Sequence, residues 1–432
     1  MSLKDRLTRL TGDAVKPLST DSKQDRISEL RGKIDRAMNR SRGGAPAGVP
    51  TTRRHATPLE HVVAGEEART PSGTFFVCRS TMNPDDFHGR ARIHDAACAS
   101  MEAAAFLAGL PMVKDVSLSD GLFLDTETTG LVGGTGTLPF LIGLGWFEAG
   151  SFVTCQLFAR DFSEEGAMLK HLVELASGKK FLVTFNGRAY DLNLLATRFI
   201  LNRCKDTLCA MPHIDLLHPS RRILAHRLEN ARLATIEAHV LGVERDGDVP
   251  GFEIPQRYFD WLRQRDGRLL GDVFTHNKLD VVSLASLLKY LTDLVEDTQE
   301  MGHSHHGDLL KIAGLIHERG DGEKAGRMLE ALISSHHTGV ATGARQSLSL
   351  IYKKAHRWEE AAVLWQKLVA SDPHNFFAVV ELAKYYEHHT RESEKALQLV
   401  STLLDEATGL SDVERASAEY RLRRLLHKVS SE

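Results

Sequence analysis

The run Gly121-Leu122-Phe123-Leu124-Asp125-Thr126-Glu127 constrains this 432-residue chain more than any other stretch. An apolar segment of this length reads as a strand, and residues i and i+2 of a strand point to one face. Asp125 and Glu127 therefore form a pair able to grip one divalent cation. Two apolar runs follow, 140–147 and 152–158, separated by Glu148-Ala149-Gly150-Ser151, a spacing that predicts a hairpin. A helix is expected from Glu164 to Ala176, a buried strand over Phe181-Leu182-Val183-Thr184-Phe185, a helix from Tyr190 to Leu201, and a short strand near His213-Ile214-Asp215. Three antiparallel strands leading into βα units predict a mixed sheet with helices on its faces.

The remainder of the chain divides around this region. Residues 1–67 are polar and charged and include Gly43-Gly44-Ala45-Pro46-Ala47-Gly48-Val49-Pro50, so most of this segment is expected to be flexible. Leu3, Leu7 and Leu10 at helical spacing suggest a short amphipathic or frayed terminal helix. Residues 68–118 read as a lead-in, with a strand at Thr74-Phe75-Phe76-Val77 and an Ala-rich helical run from Asp95 to Leu107, packed on a domain at 119–298. Beyond about residue 307 paired amphipathic helices take over. Glu323-Lys324-Ala325, Glu359-Glu360-Ala361 and Glu394-Lys395-Ala396 recur at intervals of 36 and 35 residues, near the tetratricopeptide period of 34. Residues 307–432 are therefore expected to be an all-α helical-repeat (TPR-like) domain.

With 54 basic against 57 acidic residues the net charge is −3, which gives no global attraction to nucleic acid or membrane; a nucleic-acid contact must use a local patch. Five cysteines without a C-x-x-C pair suggest reduced thiols, and neither a signal peptide nor a span of roughly 20 apolar residues is present. A cytoplasmic location is the expectation, with no membrane partner.

Two more acids follow the first pair in order. Asp191 comes after Asn186-Gly187-Arg188-Ala189-Tyr190, and Asp280 lies four residues after His276, early in a long helix expected from about Asn277 to Leu294. Phosphodiester hydrolysis must stabilise charge on attacking and leaving oxygens, and two divalent ions held by clustered carboxylates do this. The three motifs D-x-E, N-x3-Y-D and H-x3-D resemble those of the DEDD exonucleases of the ribonuclease H-like superfamily. The wider context, with Thr128-Thr129-Gly130-Leu131-Val132-Gly133-Gly134-Thr135-Gly136-Thr137 and Phe140-Leu141-Ile142-Gly143, is similar to the bacterial YprB-like proteins, which join such a domain to tetratricopeptide-type repeats.

The resemblance implies an α/β ribonuclease H-like domain and a 3′ to 5′ exonuclease acting on single-stranded DNA or RNA ends with two Mg²⁺ or Mn²⁺ ions. It implies that Asp125 bridges both ions, that Glu127 and Asp280 complete the tighter site, and that Asp191 holds the second partly through water. His276 stands where the family has the residue that orients or deprotonates the attacking water. Its spacing is that of the tyrosine class, although the histidine class is one residue longer. A free imidazole titrates near 6.5 and a phenol near 10, so the exchange is compatible with base chemistry. A non-catalytic scaffold acting through the repeats, and a structure-specific endonuclease on the same fold, are the competing functions.

Asn186 and Tyr190 are expected beside the nucleic acid. Arg221, Arg222 and Arg227, with Arg232 beyond, form the densest basic patch and could track a phosphate backbone. Asp215 reads as a fifth acid or as a strand-end cap. Gly133-Gly134-Thr135-Gly136-Thr137 lacks the following Gly-Lys-Ser/Thr of a phosphate loop and reads as a turn beside the site. His303-Ser304-His305-His306 reads as a polar linker rather than a metal site, and Trp358 and Trp365 as inter-repeat core. The helical repeats are expected to recruit a protein partner.

Overall fold

Seven strands form one sheet in the order β1-β2-β7-β6-β5-β8-β9, seen in a computed structural model that describes residues 56–130, 136–296 and 305–431. The strands are β1 (Glu66–Thr70), β2 (Gly73–Met82), β5 (Gly121–Thr128), β6 (Pro139–Glu148), β7 (Ser151–Phe158), β8 (Phe181–Thr184) and β9 (His213–Asp215), while β3 (Phe87–His88) and β4 (Ala91–Arg92) pair apart. β5, β8 and β9 run parallel and the other neighbours antiparallel. The lead-in is hydrogen-bonded into this sheet: β2 pairs with β7 over Phe76–Met82. Its Ala-rich run forms two helices, α1 (Ile93–Ala97) and α2 (Met101–Ala108), because the Ser100 side chain caps the second by accepting from the Ala103 amide.

The hairpin at 148–151 closes with a two-residue turn. Ala149 and Gly150 both have positive φ, 50° and 82°, the combination that matches the twist of the flanking strands. Helices cover both faces. Leu122 and Leu124 point to one face, among Leu169 and Phe199 from α3 (Glu165–Ala176) and α4 (Asp191–Leu201). Phe123 points to the other, where Val281, Leu284 and Leu288 of a long helix join the same core. Between those helices the chain forms α5 (Leu217–Leu224), α6 (Leu233–Ile236) with a π turn at Glu237–Leu241, and α7 (Ile254–Gln264).

The long helix α8 (Gly271–Glu296) starts six residues earlier than the sequence pattern suggests, with Asp272 in its first turn. His276 and Asp280 consequently lie inside a formed helix rather than at its frayed start. The helix approaches the sheet closely because β6 offers glycine at alternate positions. A Cβ on Gly145 would lie 2.7 Å from Val281, and one on Gly143 would lie 2.3 Å from Asn277 Oδ1.

The C-terminal region is all helix: α9 (His306–Glu318), α10 (Gly322–Leu332), α11 (Thr338–Lys354), α12 (Trp358–Ser371), α13 (Phe376–Tyr385), α14 (Ser393–Glu406) and α15 (Asp412–Val429). Ala325, Ala361 and Ala396, the alanines of the three recurring triplets, are each fully buried at the start of α10, α12 and α14. Trp365 is fully buried and donates to Ser349 Oγ at 2.9 Å, while Trp358 stacks at 4.0 Å on His389. Leu309, Ile312 and Ile316 of α9 extend the core beneath the sheet, so Ala56–Glu432 form one compact unit. The flexible segment and terminal helix expected within residues 1–55 lie outside the described residues; Leu59, from the last part of that segment, is buried. Among the described residues no helix is long and apolar enough to cross a membrane.

Candidate active site

The acids gather where β5 and β8 part. Their pairing ends at Phe123↔Val183, so the last residues of β5 leave one edge open. Asp125 and Glu127 continue the face of Phe123 toward α8. Thr126 looks the other way and donates its hydroxyl to Asp191 Oδ1 at 2.5 Å, which fixes the first residue of α4 at that edge. A cleft of about 730 Å³ opens here, with Asp125, Glu127, Asp191, Asn186 and Tyr190 in its wall.

Asn186 owes its place to Asp215. That carboxylate accepts from the amides of Asn186 at 2.8 Å, Arg188 at 3.2 Å and Leu217 at 3.1 Å, holding Asn186 in a left-handed conformation with φ 66°. All three bonds are to the backbone, so Asp215 acts as the strand-end cap and braces the β8–α4 loop.

Asn277 connects the sheet to α8. It lies over Gly143, which pairs with Asp125 on one side and Gln156 on the other. Its Nδ2 donates to Asp125 Oδ2 at 2.9 Å, and its Oδ1 accepts from Gln156 Nε2 at 2.9 Å. This buried amide orients the Asp125 carboxylate and sets the register of the helix that carries His276 and Asp280.

His276 Nδ1 lies 2.7 Å from Asp248 Oδ1. A carboxylate can only accept, so the proton sits on Nδ1 and Nε2 presents its lone pair. Nε2 lies 3.7 Å from Asp280 Oδ2 and 3.9 Å from Glu127 Oε1. Arg245 adjoins this group: it bonds Asp280, Glu237 at 2.6 Å and Asp248 at 3.1 Å. Burial opposes ionisation of Asp248, but the hydrogen bond from His276 and the bond and charge of Arg245 hold its carboxyl below the ordinary value.

The other carboxylates are strained electrostatically. Burial, and then the charges of Asp280, Glu127 and Asp191, push Asp125 well above the usual carboxylate range, although the Asn277 bond counters them. Burial, followed by Asp280 and Asp191, raises Glu127 to about 8. Burial raises Asp191 to about 6 against the Thr126 hydrogen bond. Among the described residues no Lys or Arg forms an ion pair with any of these three. A buried carboxylate without a countercharge takes up either a proton or a cation. An all-oxygen donor set of this charge fits a hard divalent ion such as Mg²⁺ or Mn²⁺. Asp125, Glu127 and Asp191 line the cleft while Asp280 does not, and no three of the four acids bring donor oxygens within 4.8 Å of one another.

The arginines read as a basic patch do not line the cleft. Arg227 is bound to Asp308 and Tyr290, and Arg222 pairs with Glu318, both at the junction with α9; Arg221 and Arg232 are exposed. The sequence reading missed Asn277, Asp248, Arg245 and Glu237. Alternating glycines in the apolar β6 were a signal for something approaching the sheet. Glu244-Arg245-Asp246-Gly247-Asp248 looks like any polar turn.

Residues 122–292 match the family model described as the RNase_H superfamily. The chain is also 35% identical over 336 residues to the "Uncharacterized protein YprB" of Bacillus subtilis (strain 168), covering 74% of this chain and 77% of that protein. The chain therefore belongs to the same family as YprB and contains an RNase H-superfamily domain, which points to a nuclease acting on nucleic acid.

Proposed function

We propose that the protein is a metal-dependent phosphodiester hydrolase, a 3′ to 5′ exonuclease acting on single-stranded ends, with Asp125, Glu127, Asp191 and Asp280 holding two Mg²⁺ or Mn²⁺ ions. The observation that carries this reading is the trio of half-buried carboxylates with no Lys or Arg ion pair among the described residues, beside an imidazole whose Nε2 lies 3.9 Å from Glu127. Bound there, the ions would supply charge stabilisation for the attacking and leaving oxygens. His276 takes the proton of the attacking water at Nε2, and Asp248, bonded to Nδ1, stabilises the imidazolium that results. Asn277 keeps the Asp125 carboxylate turned toward the cleft. Tyr190, 60% exposed on the cleft wall, offers a face on which a terminal base can stack, and Asn186 lies beside it. The buried alanines at the recurring triplets support a TPR-like reading of the C-terminal helices, whose outer surfaces would recruit a protein partner.

The Arg245–Asp280 ion pair favours the competing scaffold reading, because it already neutralises one acid. End-labelled and circular single-stranded DNA and RNA, incubated with Mg²⁺ or Mn²⁺, separate the readings. Mononucleotide release from linear substrate alone is expected. Cleavage of circles would establish an endonuclease, and no cleavage with either metal would favour the scaffold. Robust activity in Asp125→Asn would overturn the site.

A further inference from the structure

A second constellation lies away from the cleft, where the segment after α5 meets the start of α9. Among the described residues, His226, His305 and Asp308 are the group that brings one donor atom each within 4.8 Å of the others. His226 Nε2 lies 3.4 Å from Asp308 Oδ1, and His305 Nδ1 lies 3.7 Å from the same oxygen.

The protons make these separations informative. His226 Nδ1 is 2.9 Å from the Ile223 carbonyl, which can only accept, so the proton is on Nδ1 and the neutral ring turns the Nε2 lone pair toward a carboxylate oxygen. His305 Nδ1 is also unprotonated, since its lone pair accepts a long 3.2 Å bond from the Gly307 amide, a weak bond that an ion would displace. The His226 lone pair facing an anionic oxygen repels it unless a cation lies between them, and the same cation can take the His305 lone pair from its weak amide bond. Imidazolium rings are a poor alternative. Charge-assisted N–H···O bonds run to about 2.7–2.9 Å, shorter than either separation, and Asp308 is already neutralised by Arg227, which donates to Oδ1 at 2.9 Å and Oδ2 at 2.6 Å. Tyr290 donates to Oδ2 at 2.5 Å, so the outer side of the carboxylate is fully bonded. A tetrahedral ion with bonds of about 2.0–2.1 Å places its ligands roughly 3.3 Å apart, close to the 3.4 Å observed. Glycine at 307 also lets the His226 ring lie here: a Cβ on Gly307 would be 2.3 Å from His226 Nε2.

We propose that His226, His305 and Asp308 bind one transition-metal ion of the Zn²⁺ class, with the His226 ring oriented by Ile223 and the carboxylate by Arg227 and Tyr290. The ion would tie the segment after α5 to the first helix of the C-terminal region, a structural role separate from the cleft and independent of its chemistry.

The test uses the full-length Asp125→Asn protein, so that the cleft's own metal affinity is weakened. Titration of the metal-stripped chain with Co²⁺ should give one equivalent with the intense visible absorption of a four- or five-coordinate ion, raise the melting temperature, and be displaced by Zn²⁺. Adding His226→Ala and His305→Ala should abolish the band and weaken binding by more than the roughly 10–100-fold that loss of an outer-shell partner costs. A weak six-coordinate spectrum in the parent, or an unchanged band in the double variant, overturns the site. Should the double variant fail to fold, proton NMR of the Co²⁺-loaded parent decides: a paramagnetically shifted, exchangeable Nδ1 proton on His226 is expected, and its absence overturns the proposal.

Discussion

Acids withdrawn from solvent at two places in this chain are treated in opposite ways. At the junction of α5 and α9, Asp308 is fully buried and neutralised by Arg227, with Tyr290 also donating to it. At the head of the cleft, Asp125, Glu127 and Asp191 are half-buried with only neutral donors or an imidazole beside them. The first arrangement is what stability asks of a buried charge. The second lowers stability, and it lies where strand pairing has ended and a cleft has opened. The difference teaches that burial alone does not mark a site; burial without a countercharge does.

Substitutions should therefore have opposite consequences in the two places. Asp125→Asn should reduce nuclease turnover by on the order of 10³-fold while raising the melting temperature of the metal-free protein at pH 8, read by single-turnover assay and calorimetry. A lower melting temperature would erase the contrast. Asp308→Ala, measured in metal-stripped protein, should cost about 3 kcal/mol of stability by denaturant unfolding because Arg227 is left buried without its partner. Activity per folded molecule should be unchanged.

His276→Ala should slow cleavage by on the order of 10²-fold without weakening Mn²⁺ binding. Asp248→Asn, which acts through His276, should cost roughly 10-fold and shift the alkaline-going limb of the pH–rate profile; an unchanged profile would remove Asp248 from the mechanism. The smallest expected effect is thermal. Asp191 and Glu127 have folded pKa values raised to about 6 and about 8, so the native state binds their protons more tightly than the unfolded chain does. The stability they contribute is present at low pH and is lost as pH rises from about 4 through those values. The metal-free melting temperature should fall from about pH 5 to pH 8, and saturating Mg²⁺ should flatten the decline.

The sheet and the acids were legible in the sequence for a physical reason. Strand alternation, the hairpin turn and the D-x-E, N-x3-Y-D and H-x3-D spacings are local patterns, and the topology follows once they are ordered. Asn277, Asp248 and Arg245 were not legible, because their roles arise from contacts across the fold: Asn277 meets Asp125 from 152 residues away. The pairing of the arginine patch was no more legible. Arg227 and Arg222 look like solvent-facing cations until the C-terminal helices are in place to bond them.

The seating of Asn277 against Gly143 also has a mechanical meaning. α8 is 26 residues long, about 39 Å, and Asn277 is pinned near its beginning by bonds to β5 and β7. Pinned there, the helix is a lever with very unequal arms. His276 sits one residue, about 1.5 Å, from the fulcrum, whereas Glu296, close to the C-terminal helices, is about 28 Å away. A displacement of several ångströms at the far end would reach the imidazole reduced more than tenfold. The imidazole is thus seated at the point of the helix that any such displacement would move least.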